Sequence, residues 1–417
     1  MRLLHVADVH LDTSFAGRSG EVRHRLRDAS REAFRRAVEV ALAEEVHAFL
    51  IAGDLFDGER LSFRTERFLL DELRRLVAGG VAVVYATGNH DPGRPGEGAR
   101  PLPWPPGVHV ADGPEPRRVV VRDREGTPVG RVTAAGHATS RVTEDLSRRF
   151  PRPAGDLPEV ALLHTQVHDS PGSADHHPYA PSELSRLAGA GYHYWALGHV
   201  HARRVLSRDP PVVYAGSLQG ITWGESGPHG ATLVDLSDRA APRLDLRPVA
   251  PVRWETLRVG GLDEAGSLDG VLRRVEEAWR GARDGEGTAA GGTATEWMVR
   301  VALEGPTPLW RELGTPEDRE TLGRELAAAL DALEVRVGAE RVHPPVPLDE
   351  RRRREDVLGL ALRLLEEVRG GGADLPGVAP GELAGAPEPD AAERWIRRVL
   401  DGGDGELAAR FLTGEER

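Results

Sequence analysis

Five short apolar runs in this sequence end on side chains that can bind metal ions. "RLLHVADVH" ends with Asp8 and His10, "AFLIAGDLFD" with Asp54 and Asp57, and "VAVVYATGNHD" with Asn89, His90 and Asp91. "EVALLHTQ" ends near His164, and "YHYWALGHVH" with His199 and His201. Turns favour Asn, Asp and Gly, so one such tip alone is ordinary. Five together are not, because in open α/β sheets ligands bind beyond the carboxyl ends of the strands. Asp8, His10, Asp54, Asn89, His164, His199 and His201 make seven candidate ligands, more than one ion needs. Two divalent ions sharing a bridging carboxylate would use them. Such a pair, about 3.5–4 Å apart, clamps the attacking and leaving oxygens of a phosphoryl displacement. Imidazole and oxygen donors without thiolate suit Mn²⁺ first, with Fe²⁺, Mg²⁺ or Zn²⁺ as alternatives. Taken singly, His10 and His201 read as turn histidines, His199 and His201 as one face of a strand end, and Asp8 as a helix cap. Their joint placement is what points to metal.

The elements that carry these tips alternate. Residues 20–46 show Leu26, Ala29, Ala33, Phe34, Ala37, Val40 and Ala41 at helical steps, and "RFLLDELRRLVAGG" places Leu69, Leu73, Leu76 and Val77 on one face before a Gly79-Gly80 stop. The resulting β-α-β-α-β order predicts parallel strands. Residues 94–116 are rich in Pro and Gly and read as a loop. "RRVVVRD", "VGRVTAAGH", "PPVVYAGS" and "ATLVDL" read as strands, and "PSELSRLAGAG" as a short helix. The α/β layer is expected to span 1–248 and a small α+β domain 249–312. A mostly helical region follows at 313–370, then a Gly/Pro linker at 371–390 and a helical tail at 391–417.

Composition narrows the chemistry. The chain has 417 residues, 40% of them hydrophobic, which gives room for two or three domains. There is no cysteine, and so no disulfide, thiolate ligand or cysteine nucleophile. No apolar stretch approaches bilayer length, and "MRLLHVADVH" lacks the pattern of a secretory leader, so a cytoplasmic location without membrane association is expected. Lysine is absent and all 54 basic positions are Arg. A P-loop needs its Lys, so any ATP dependence must come from a partner. The net charge of −12 has the wrong sign for wrapping nucleic acid with the whole surface. A phosphate-bearing substrate would be drawn in locally, by ions or by arginines such as Arg203, Arg204 and Arg208, which serve equally well as solvated surface.

The order D-x-H, GD-x-x-D, GNHD, a later His and GHVH resembles the calcineurin-like metallophosphoesterase superfamily. Here it stands as "ADVH", "GDLFD", "GNHD", "LLHTQ" and "GHVH". "HVADVHLDTSF", "IAGDLFDG", "HHPYAPSEL", "YWALGHVH" and "VVYAGSLQG" are similar to the SbcD-type DNA exonuclease branch and, within it, to bacterial YhaO-like exonucleases. The resemblance covers residues 1–250 well. It implies an α/β metallophosphoesterase sandwich, two mixed β-sheets flanked by helices, with a small α+β capping domain and C-terminal helices. It also implies that Asp8, His10, Asp54 and His201 hold one ion and that Asp54, Asn89, His164 and His199 hold the other, with Asp54 bridging. His90 would face the scissile phosphate, oriented by Asp57, at whose position some family nucleases carry His. DNA would be the substrate, with an SbcC-type coiled-coil ATPase as partner and a homodimer as the assembly. His168, His176 and His177 read as loop residues. A phosphatase or phosphodiesterase acting on small molecules or proteins would use the same ligands, and a weakly catalytic regulatory component gating an ATPase is a third reading. The tail, with Trp395, Ile396, Val399, Leu400, Leu407, Phe411 and Leu412, either docks the ATPase together with the 350–370 helix or packs back on its own chain.

Overall fold

The computed structural model describes residues 1–58, 61–94, 102–168, 179–238, 242–285, 296–345 and 348–370, together with 403–405, 407 and 411. The chain begins with β1 (Arg2–Val6), α1 (Gly20–Ala43), β2 (Ala48–Ala52), α2 (Phe63–Ala78), β3 (Ala82–Ala86) and β4 (Val108–Ala111). There follow β5 (Arg117–Arg122), β6 (Pro128–Ala135), β7 (Glu159–His164), α3 (Leu184–Gly189), β8 (Tyr194–Gly198), β9 (Arg204–Arg208), β10 (Pro211–Tyr214), β11 (Gly230–Asp235) and β12 (Arg243–Pro248). The last part contains β13 (Val252–Val259), α4 (Leu268–Gly285), β14 (Glu296–Pro306), α5 (Trp310–Gly314), α6 (Pro316–Ala329), β15 (Glu334–His343), α7 (Leu348–Arg352) and α8 (Val357–Arg369).

Two six-stranded mixed sheets form the first compact unit, built on Met1–Trp254. One runs β12-β11-β1-β2-β3-β4 and the other β5-β6-β7-β8-β10-β9. β1, β2 and β3 are parallel, as the alternation of strand and helix requires. Side-chain alternation explains the layering. Leu4 and Val6 pack with Phe34, Val38 and Leu73 from α1 and α2, whereas Leu3 and Ala7 meet Val160, Leu162 and Tyr194 of the second sheet. The outer face of the second sheet, with Trp195 and Leu197, is covered by Leu187 of α3 and by Leu146 and Tyr192. β1, β2, β7 and β8 are thus screened on both faces, and their polar tips emerge together.

Three strands of these two sheets depart from the sequence reading. β4 lies within the expected loop 94–116, and β9 and β12 fall in segments to which the sequence reading assigns no strand. All three sit at a sheet edge, where one side of the ladder faces solvent and no continuous apolar run is needed.

The second unit is built on residues from Glu255 onward. Its sheet runs β13-β14-β15, with β14 and β15 parallel. Val259, Val301 and Val337 pack with Val271 and Val275 of α4 and Leu322 and Leu326 of α6. Residues 313–370 therefore hold, besides helices, the strand that completes this sheet, so the small domain continues past 312. The linker 371–390 lies outside the described residues, as do Trp395, Ile396, Val399, Leu400 and Leu412. Leu407 and Phe411 pack against Leu358 and Leu362 of α8. Among the described residues no helix is long and apolar enough to cross a membrane.

Candidate metal centre

The candidate ligands leave their strands through strained turns. Asp8, His10, Asp54 and His199 all have positive φ, which costs a side-chain-bearing residue about 1–3 kcal/mol and is kept where surrounding contacts enforce it. The motif glycines permit the crowding. A Cβ on Gly53 (φ +81°) would lie 2.3 Å from His164 Nδ1, and one on Gly88 would lie 2.2 Å from Asp54 Oδ1.

Asp8, Asp54 and His164 are fully buried or nearly so and lie together, and Asp8 also groups with His10 and His201. His10 and His201 face each other through their Nε2 atoms at 3.1 Å. The Nδ1 atom of His10 donates to Asp57 Oδ1 at 2.7 Å, and that of His201 to Glu225 Oε1 at 3.2 Å. A carboxylate on Nδ1 keeps the proton there and leaves a lone pair on Nε2. Two facing lone pairs need a cation or a shared proton between them. His164 repeats the pattern. Its Nδ1 donates to the carbonyl of Ala52 at 2.9 Å, while Nε2 faces Asn89 Oδ1 at 2.9 Å and Asp54 Oδ2 at 3.3 Å. The Asp54 carboxylate looks both ways, with Oδ2 also 3.9 Å from His10 Nε2. Its Oδ1 accepts from the His90 amide at 2.9 Å. The His199 ring stands edge-on to His164 and to Tyr179, which gives the Tyr179-Ala180-Pro181 segment a packing role, and the His199 amide donates to Asp8. This donor set, all nitrogen and oxygen with buried carboxylates, fits divalent metal.

Charge follows from the geometry. Burial opposes protonation of His164, but Asp54 and then Asp8 outweigh it and push its pKa up to about 9. Burial likewise opposes charge on His201, and Glu225, followed by Asp8 and Asp54, raises it to about 9. Burial pushes Asp8 up, while His164 holds buried Asp54 well below the usual carboxylate range. Both histidines are raised above 6.5, so their stabilisation of the metal-free protein is complete below that pH and is lost as pH climbs through about 9. Mn²⁺ binding is expected to release about two protons near neutral pH and fewer as pH rises through about 9, with affinity rising in step. Calorimetric titration in buffers of different ionisation enthalpy reads that count. No proton release at neutral pH would mean the rings were neutral beforehand.

His90 stands at the rim, with its side chain 48% exposed and Nδ1 2.9 Å from Asp57 Oδ1. Asp57 therefore touches both His90 and His10, and Thr13 donates to its other oxygen. The bond to Asp57 raises the His90 pKa, and the same contacts hold Asp57 well below the carboxylate range against the effect of burial.

Asp91, Glu225 and His137 have no role in the sequence reading. Asp91 accepts from the amides of Gly88 and Leu55 and so staples two ligand loops; burial, then Asp54, raises it to about 6. His137 is buried and donates through Nε2 to the His164 carbonyl. Only Asp91 carries a sequence signal, as the last letter of GNHD.

Arg203 is half-buried and donates to Thr232, and Arg204 opens the edge strand β9. Neither joins the cluster of ligands. His168 is exposed in a turn, and His176 and His177 lie outside the described residues.

The paired sheets and the Asp/His cluster at their strand tips fit a metal-dependent phosphoester hydrolase. The calcineurin-like phosphoesterase profile matches residues 1–203, and the chain belongs to that family. It is similar to the "Uncharacterized metallophosphoesterase YhaO" of Bacillus subtilis, 29% identical over 314 residues, covering 74% of this chain and 73% of that protein. It is 31% identical to the SbcD component of the SbcCD nuclease of Rhodobacter capsulatus over 290 residues, covering 58% and 68% of the two chains. It is also 32% identical to the DNA double-strand break repair protein Mre11 of Aeropyrum pernix over 351 residues, covering 77% and 78%.

Proposed function

We propose that this protein is a two-metal DNA nuclease that hydrolyses phosphodiester bonds at DNA ends in the cytoplasm. The observation that carries DNA over a small phosphoester is the reach of the similarity. The family profile stops at residue 203, whereas the likeness to Mre11 covers 77% of the chain. One ion would be held by Asp8, His10, Asp54 and His201, and the other by Asp54, Asn89, His164 and His199. Mn²⁺ is the first choice, before Fe²⁺, Mg²⁺ and Zn²⁺. When bound, such a pair neutralises the phosphodiester and activates water. His90 then presents Nε2 to the leaving oxygen while Asp57 holds Nδ1. Arg203 and Arg204 are the nearest arginines in sequence to the ligand loop for the phosphate backbone. The test is purified protein with end-labelled single- and double-stranded DNA, with and without Mn²⁺. Mn²⁺-dependent release of nucleotides is expected. Intact DNA alongside rapid hydrolysis of a phosphomonoester would favour the phosphatase reading.

We further propose a homodimer that works with an SbcC-type coiled-coil ATPase. α8 exposes Val357, Leu360 and Leu364 at 67%, 62% and 47%, one stripe at helical spacing. Its other face is already covered by Leu407 and Phe411. Deleting the tail would uncover that covered face, so the sharper variant replaces Val357, Leu360 and Leu364 with Ser. Co-purification with the ATPase should fall at least about tenfold, as loss of several buried apolar anchors implies, with Mn²⁺-dependent cleavage of simple DNA ends unchanged. Undiminished co-purification would remove α8 from the docking role.

A further inference from the structure

Glu225 lies between β10 and β11, 24 positions beyond the last candidate ligand, and its side chain is 9% exposed. Its carboxylate is fully engaged. Oε1 accepts from Thr222 Oγ1 at 2.9 Å and faces His201 Nδ1 at 3.2 Å. Oε2 accepts from Ser217 Oγ at 2.7 Å and from the Ile221 amide at 3.2 Å. A carboxylate has about four lone-pair sites, so three local donors and one imidazole fill it. Ser217 is itself tied to the ligand loops. Its amide donates to the His201 carbonyl at 2.9 Å, and it bridges to Ala7, next to Asp8. Buried His229 closes the network, with Nδ1 2.9 Å from Ser217 Oγ and Nε2 3.1 Å from the Glu225 carbonyl.

We infer that Glu225 is a positioning residue for the His10–His201 half of the centre, setting the tautomer and ring orientation of His201 so that its Nε2 lone pair faces Nε2 of His10. The inference rests on the two-metal reading. The arrangement mirrors Asp57 on His10: each imidazole has a carboxylate on Nδ1, and the two Nε2 atoms converge at 3.1 Å. One carboxylate on one histidine could be a simple structural ion pair. Two carboxylates that turn two rings face to face act on the same point, where a cation would sit. Outer carboxylates of this kind alter metal affinity by about 10–100-fold.

The experiment is Mn²⁺ titration of the full-length protein, followed by the electron paramagnetic resonance signal of free Mn²⁺. Wild type should bind two ions. Glu225→Ala should keep one site at wild-type affinity and weaken the other by about 10–100-fold. Glu225→Gln, whose amide oxygen can still accept from Nδ1–H, should lose less. In a His201→Ala background Glu225→Ala should cost almost nothing more, because the residue acts through the ring that is gone. Should Glu225→Ala not fold, the near-isosteric Gln variant and its cycle with His201→Ala carry the test. Two unaltered sites in a folded Glu225 variant, or the same loss with and without His201, overturns the inference alone. Fewer than two sites in wild type overturns the two-metal reading and this inference with it.

Discussion

Asp54→Asn is expected to abolish hydrolysis and to weaken both metal sites at once. The Asp54 carboxylate is 2% exposed and has one oxygen 3.3 Å from His164 Nε2 and 3.9 Å from His10 Nε2, so it faces both halves of the cluster. Its other oxygen accepts from the His90 amide, which fixes the orientation. Asn keeps the volume but removes the charge and replaces one acceptor with a donor. Loss of a direct ligand should exceed the ~10–100-fold that loss of an outer partner costs, and in the proposed two-metal arrangement both sites would lose it. Mn²⁺ titration and DNA cleavage, with thermal melting as the check on folding, read the result. If one site survives at wild-type affinity, Asp54 does not bridge and the two halves are independent.

The strand tips are legible because each is a local pattern. A parallel strand buried on both faces needs a continuous apolar run, so "HAFLIAGD" and "YHYWALGHVH" show both where the strand is and where it stops. The glycines of these motifs are explained only in three dimensions, where a Cβ on Gly53 or Gly88 would collide with His164 or Asp54. Edge strands are harder. β4 is four residues framed by prolines, and β9, "RVLSR", mixes polar and apolar positions because one edge of its ladder is unpaired. β15 is hidden among helices, since its pairing partner β14 lies far back in the chain. Glu225 is out of reach for a similar reason. Nothing in "GITWGES" signals metal chemistry, and its meaning comes from the loop returning over His201. The tail leaves two outcomes open in the sequence, and Leu407 and Phe411 pack on α8.

His90→Ala and Asp57→Ala should both remove about 10²–10⁴-fold in rate, the usual contribution of a positioned acid, but only the second should disturb metal binding. His90 touches the centre through Asp57, through its own backbone amide and through edge-on packing of its half-exposed ring on His10, but it stands among none of the seven candidate ligands. Truncating the ring leaves the seven candidate ligands in place, so Mn²⁺ affinity should stay at the wild-type level. Asp57 holds His90 Nδ1 and His10 Nδ1 with the same oxygen. Removing it frees a candidate ligand as well as the acid, and Mn²⁺ affinity should fall by about 10–100-fold. The pH profile separates the roles further. Asp57 raises the His90 pKa above 6.5, and an acid must be protonated, so wild-type activity should fall on the alkaline side as pH passes that raised value. On the acid side it should fall as protons reclaim the ligand histidines. Asp57→Ala should move the alkaline limb to lower pH, and His90→Ala should erase it. Collapse of metal binding in His90→Ala would instead make His90 a ligand, and the assignment of the acid would pass to another group.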